Sequence, residues 1–177
     1  MMTSAALLAQ HADADHGEVA AYGGGSFGAG SHPVVGGTTG LIFSKFGMVM
    51  LDGSYTPMGQ DTVRSHPAGW SVQNSRLLDL NLAVHIRIPV RDRLVPYAIL
   101  GGGALWDAYD HSVAGPQGAA VVSRNNEWNF GFHTGAGVRY YVRDNWGVRP
   151  ELRVIVSNRT FTRLSVGVFY TLPNDWP

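Results

Sequence analysis

The sequence predicts an all-β fold: an eight-stranded antiparallel up-and-down transmembrane β-barrel with a polar, side-chain-filled interior. Three observations lead there. The segment from Arg163 to Leu172 alternates: Leu164, Val166, Val168, Tyr170 and Leu172 share one parity, while Arg163, Ser165, Gly167, Phe169 and Thr171 share the other. That is the period of a strand with one greasy face, and about ten residues suffice for a tilted strand to cross a bilayer. Segments of the same kind recur along the chain, whereas no uninterrupted apolar run approaches the ~18 residues of a spanning helix. Tight turns alternate with looser polar connections, of which two, Pro57–Ser75 and Tyr109–Asn126, are long.

Composition narrows the function classes. The 177 residues suggest one domain. Thirteen basic and 13 acidic residues cancel, so no charge excess points to nucleic acid. The 23 glycines are about twice the usual share and suit curved, crowded strands rather than helices. Without cysteine there is no disulfide framework and no thiolate metal site.

The elements follow in order. Met1 to His16 lacks a proper export signal: Ala5–Ala9 is too short an apolar region and no Lys or Arg precedes it. Ala12-Asp13-Ala14 nevertheless has the small-x-small pattern of a cleavage site. Residues 1–17 are therefore expected to be a disordered leader or signal remnant, 18–173 the barrel, and 174–177 a short tail. Val19 to Gly28 is a Gly-rich first strand, turned by Ser31-His32-Pro33 into Val34 to Ser44, where Thr39, Leu41 and Phe43 share a face. Lys45-Phe46-Gly47 is a tight turn into Met48 to Tyr55. Pro57 to Ser75 reads as a long polar connection. Arg76 to Val90 is the clearest strand, with Leu78, Leu80, Leu82, Val84, Ile86 and Ile88 opposing Asp79, Asn81, Ala83, His85, Arg87 and Pro89.

Arg91-Asp92-Arg93 turns into Val95 to Ala108, and Tyr109 to Asn126 reads as a second long connection. Glu127 to Val142 places Phe130, Phe132, Ala136 and Tyr140 opposite Gly131, His133, Gly135 and Arg139. Arg143-Asp144-Asn145 turns into Gly147 to Val156, and Ser157-Asn158-Arg159-Thr160 leads to the closing strand. Pro173 ends that ladder for want of an N–H. An even strand number puts both termini at the tight-turn rim.

Periodicity does not say which face points in, since a soluble barrel of lipocalin kind alternates equally. Aromatic placement favours the membrane. Tyr97, Trp106, Trp128, Tyr140, Tyr141, Trp146 and Tyr170 fall near strand ends, with Trp176 just beyond, as two interfacial girdles require. The inward parity then holds Asp79, His85, Arg87, His133, Arg139, Arg149, Glu151, Arg153 and Arg163. Eight strands leave room only for side chains, so these groups are expected to form an ion-paired plug, with Glu151 between Arg149 and Arg153.

Several pieces resemble a known family. Pro96-Tyr97-Ala98 with its Gly run, Gly135-Ala136-Gly137-Val138-Arg139-Tyr140, Arg143-Asp144-Asn145-Trp146-Gly147-Val148-Arg149, Glu151-Leu152-Arg153 and Val166-Gly167-Val168-Phe169-Tyr170 are similar to eight-stranded outer-membrane barrels of OmpA type. The likeness runs from about Glu18 to Leu172. Ser165, Gly167, Tyr170 and Leu172 resemble that family's C-terminal assembly signal. The resemblance implies an outer-membrane location, outer-membrane lipids and the barrel-assembly machinery as partners, and no catalysis. An extracellular ligand would meet the long loops.

No metal or cofactor site is expected. His85 and His133 share the inward parity and are read as lumen filling; His11 and His16 beside Asp13 and Asp15 are read as leader. Gly101-Gly102-Gly103 lacks the Lys and helix of a phosphate loop. Ile155-Val156-Ser157-Asn158 resembles the His-x-Ser-Asn segment of outer-membrane lipid A deacylases, but Ile155 stands where a base is needed and cannot take the Ser157 proton.

Overall fold

Alternating sequence leaves each strand one face for lipid and one for the centre, and eight such strands close on themselves. The computed structural model describes residues 16–28, 30–66, 69–88, 90, 93–114 and 120–172, with side chains at all of these except 16, 60–74 and 111–122. The strands are β1 (His16–Phe27), β2 (Ser31–Ser44), β3 (Gly47–His66), β4 (Gly69–Arg87), β5 (Leu94–Ala114), β6 (Ala120–Arg143), β7 (Trp146–Val156) and β8 (Thr160–Thr171). Each pairs antiparallel with its chain neighbours, and β8 returns to β1 to close the barrel. Closure removes every free sheet edge along the shared length.

Grease faces outward. Leu80, Leu82, Ile86, Leu152, Leu164 and Val166 are exposed, Leu82 at 57%, whereas Arg139 is 0% exposed. A soluble barrel inverts this order, so the lipocalin alternative is set aside. The interior is not wholly polar, however: Ile42, Met48, Met50, Val95, Ile99, Leu105, Ile155, Phe161 and Phe169 are also buried there.

The tight-turn rim is stitched by backbone bonds: Arg87 N to Phe46 O (2.7 Å), Tyr141 N to Arg93 O (2.9 Å), Thr171 N to Asn145 O (2.7 Å) and Leu172 N to Gly17 O (2.8 Å). The last two lock the closing strand to its neighbours. At the opposite rim the β1–β2 turn falls earlier than expected, because Gly28 (φ 135°) and Gly30 (φ 103°) supply the left-handed backbone there. Ser31, His32 and Pro33 already pair with Phe27, Ser26 and Gly25.

The two long connections also differ from expectation. Segment 57–75 continues the β3–β4 ladder through Gly59↔Ser75 and Val63↔Ser71 to His66↔Gly69. Segment 109–126 continues the β5–β6 ladder from Tyr109↔Asn125 to Ala114↔Ala120. Beyond the lipid a strand needs no greasy face, so alternation fades while backbone pairing persists. Two girdle assignments are corrected as well. Tyr97 (2% exposed) and Tyr141 (7%) point inward. They share parity with Ile99 and Arg139 and fill the lumen. Trp128, Tyr140 and Tyr170 are exposed outside, and Trp106 and Trp146 are half-buried. The leader 1–15, Pro89, Arg91, Asp92, Pro173 and Trp176 lie outside the described residues.

Candidate functional site

The lumen is built from recesses and the side chains that enter them. On β5 and β6 the inward positions include Gly101, Gly103, Gly131, Gly135 and Gly137. A Cβ added at Gly101 would meet the His133 ring, at Gly103 Asn81, at Gly135 Arg153, and at Gly137 the Tyr97 ring. Across the barrel, Gly36 makes room for Tyr22 and Gly40 for Met50. These six glycines therefore leave space for large inward-pointing partners, most of them polar.

Those partners form a ladder of alternating charge. Glu18, on β1, accepts from Arg139 on β6 (3.0 Å) and Arg149 on β7 (3.2 Å). Arg149 also donates to Thr38 on β2 (2.8 Å). The Arg139 guanidinium lies 4.6 Å from the centre of the Tyr97 ring, and the Tyr97 hydroxyl donates to Glu151 (2.7 Å). Glu151 accepts from Arg153 Nε. Arg153 reaches Asp52 on β3 (3.1 Å), and Asp52 also accepts from the Tyr22 hydroxyl (2.9 Å). Arg163 on β8 lies 3.8 Å from Asp52 and 2.7 Å from Asp79 on β4. Asn81 and Ser54 donate to Asp79 as well. Four carboxylates, Glu18, Asp52, Asp79 and Glu151, thus meet four guanidiniums, and every one of these side chains is buried. Such charges persist in the interior only because they are paired and hydrogen-bonded.

Apolar layers cap this ladder. Toward the tight-turn rim lie Ile42, Met48 and Met50, with Val95, Tyr141 and Phe169 beside them; Tyr141 meets Phe169 edge-on at 5.0 Å. Toward the other rim Leu77, Leu105, Ile155 and Phe161 pack together, with Met58 against them. Above that layer Arg159 pairs with Asp107 (3.1 Å).

All nine residues expected in the lumen lie inside, but one pairing differs. Arg149 pairs with Glu18 on β1 rather than sharing Glu151, which keeps Arg153 and gains Tyr97. Arg87 donates to the Tyr141 hydroxyl (3.4 Å). His85 stacks on Tyr97 (centroids 4.8 Å) and His133 sits against Gly101, so the two imidazoles fill separate places. Among the described residues no group of three or more His, Cys, Asp and Glu is arranged to hold a metal ion. Sequence reading missed Glu18 and Asp52. The signal was available: nine lumen residues with five Arg and only two acids demand further carboxylates. Ser165 and Gly167 face inward, Tyr170 faces outward opposite Trp146, and Leu172 donates its N–H to Gly17.

The second candidate surface stands at the long-hairpin rim. β7 ends at Val156, opposite Phe132, and β2 pairs β3 only as far as Tyr55. From there β3, β4, β5 and β6 rise together as a four-stranded sheet with two unpaired edges. The unpartnered part of β6 is about 40 Å of strand. Ser157 Oγ donates to the Phe130 carbonyl (2.9 Å), where the β6–β7 ladder stops. Ile155, at the base position of the deacylase-like segment, is 2% exposed and points into the lumen.

The family model for the outer membrane protein beta-barrel domain matches residues 2–176. The chain belongs to that family. Solved outer-membrane barrels share its fold. A major outer membrane protein from Thermus thermophilus is 12% identical with a TM-score of 0.63, covering 90% of this chain and 100% of that one. The N-terminal β-barrel domain of Pseudomonas aeruginosa OprF is 15% identical at 0.54, covering 90% and 100%. The attachment invasion locus protein Ail of Yersinia pestis is 9% identical at 0.53, covering 89% and 97%. None of the curated proteins matches the sequence. This outer-membrane barrel therefore turns its apolar face to lipid and seals its charges in the middle.

Proposed function

We propose that this protein is a non-enzymatic surface protein of the outer membrane. Its work is contact, made by the sheet of β3–β6, and its lumen carries no solute stream. The observation that supports this reading best is the rise of four strands well past the other four, above a lumen filled by paired charges and closed by Leu77, Leu105, Ile155 and Phe161. An extended polypeptide segment suits the free edge of β6, since a strand edge offers a row of unpaired backbone donors and acceptors. The β3 edge suits it less, because Pro57 and the bulge between Pro57 and Gly59 interrupt its ladder.

Ser157, spent on the Phe130 carbonyl, and Ile155, turned inward, leave the deacylase-like segment without a nucleophile–base pair. During insertion, Ser165, Gly167, Tyr170 and Leu172 are the residues we assign to reading by the barrel-assembly machinery. A planar-bilayer recording tests the reading. Purified protein is expected to give no stepwise conductance, and regular unitary steps would refute it. Trypsin on intact cells is expected to cut after Arg124 before cell lysis and after Lys45 only afterwards; the reverse order places the sheet on the wrong side.

A further inference from the structure

The outer face of β3–β6 carries a groove that neither the lumen nor the free sheet edge accounts for. It is an open groove with a volume of about 810 Å³, within the size range of small-ligand sites. Leu80, Ala104 and Gly53 form its floor, and Tyr55, Trp106 and Trp128 stand over one end. The two indoles lie 6.3 Å apart. A Cβ at Gly53 would meet nothing within 4 Å, so the floor is notched rather than merely narrow.

A charge completes the arrangement. Arg76 lies on the same face of β4 as Leu78 and Leu80, opposite Pro57 and Ala108, and about 7 Å along the strand beyond Leu78. It is exposed, and no carboxylate pairs with it among the described residues. The other charged pair on this face, Arg124 and Asp110, is self-neutralised at 3.4 Å. A guanidinium with no carboxylate partner among the described residues therefore stands just past an indole belt, four residues along β4 from Leu80, the cross-strand neighbour of Gly53. Guanidinium groups bind phosphate oxygens in pairs, and indoles mark headgroup level.

We propose that this groove is a specific site for a phosphorylated lipid of the outer leaflet. One acyl chain lies over Gly53, and the phosphate rests on Arg76. The proposal rests on the membrane location and not on what the hairpin sheet contacts.

The test uses the full chain in vesicles, with Trp70, Trp146 and Trp176 changed to Phe so that Trp106 and Trp128 report alone. The vesicles hold phosphatidylcholine with brominated chains, which quench indole fluorescence, and rising fractions of unbrominated phosphatidic acid. Displacement from the groove restores emission and gives the relative association constant of the two lipids. An exposed Arg–phosphate contact gives phosphatidic acid an advantage of about threefold, and Arg76→Gln brings it to about one. Gly53→Leu fills the notch, where an added Cβ meets nothing within 4 Å, and is expected to abolish the preference too. Heat-modifiable gel migration checks that both variants fold. Excess inorganic phosphate is expected to leave the wild-type preference in place. The proposal fails if the preference survives either substitution, if the wild type has none, or if inorganic phosphate erases it.

Discussion

Replacing Glu18 with Gln removes a buried charge shared by two guanidiniums. Its carboxylate accepts from Arg139 at 3.0 Å and Arg149 at 3.2 Å, with all three side chains at 1% exposure or less. Gln keeps the shape and one acceptor oxygen but leaves two guanidiniums facing each other in a dry interior. Removing one member of a buried pair costs about 3–5 kcal/mol, a large part of the about 5–15 kcal/mol by which folded proteins are stable. Arg139 retains the Tyr97 ring and Arg149 retains Thr38, which holds the expected loss within that range rather than doubling it. The assay is a urea titration in detergent micelles, followed by the heat-modifiable gel shift. Arg124→Gln serves as control, since its partner lies in the open and the pair is worth about 1 kcal/mol at most. Adding Arg149→Met to Glu18→Gln is expected to recover stability, with a coupling of about 1–3 kcal/mol. A Glu18→Gln loss no larger than the control's would refute the reasoning, because it would mean that water reaches the network and the lumen is open.

Other expectations follow from the same geometry. Gly135→Ala pushes a Cβ into the Leu152 carbonyl and the Arg153 stem, and is expected to cost about 1–3 kcal/mol in the same titration. Leu82→Arg places a charge on the outer face between the two belts and is expected to cost about 2–4 kcal/mol in lipid vesicles. Leu82→Arg without loss would put that face in water. Phe161→Ala opens the apolar cap over the charge ladder, costs about 3–5 kcal/mol, and is expected to leave the bilayer recording silent, since the paired charges still fill the lumen.

Most of the barrel is legible in the sequence because one period governs it wherever lipid is present. Every residue described from Leu77 to Ile88 takes the face its parity assigns. The two girdle errors share one cause: residue type outweighs parity in the reading. Tyr97 and Tyr141 look like girdle residues because they are aromatics near strand ends, though their parity matches Ile99 and Arg139. Glu18 escapes notice because it stands just before the Gly-rich first strand as read from Val19, and Asp52 because it is the lone acid between Met48 and Tyr55, even though charge balance in the lumen calls for two more carboxylates. The upper hairpins are illegible for a different reason. Outside the lipid both faces of a strand are wet, so no alternation reports the pairing that holds segments 57–75 and 109–126 together.

Glu151 on β7 apart, the ladder of charges also divides the chain by sign. Glu18, Asp52 and Asp79 come from β1, β3 and β4, whereas Arg139, Arg149, Arg153 and Arg163 come from β6, β7 and β8. A half-made wall therefore has an inner surface of mostly one polarity, acidic for the early strands and basic for the late ones. Neither half can satisfy itself by curling up alone. Each becomes comfortable only when the other arrives, so the seam between first and last strand is drawn shut by the contents of the cylinder as well as by its rim.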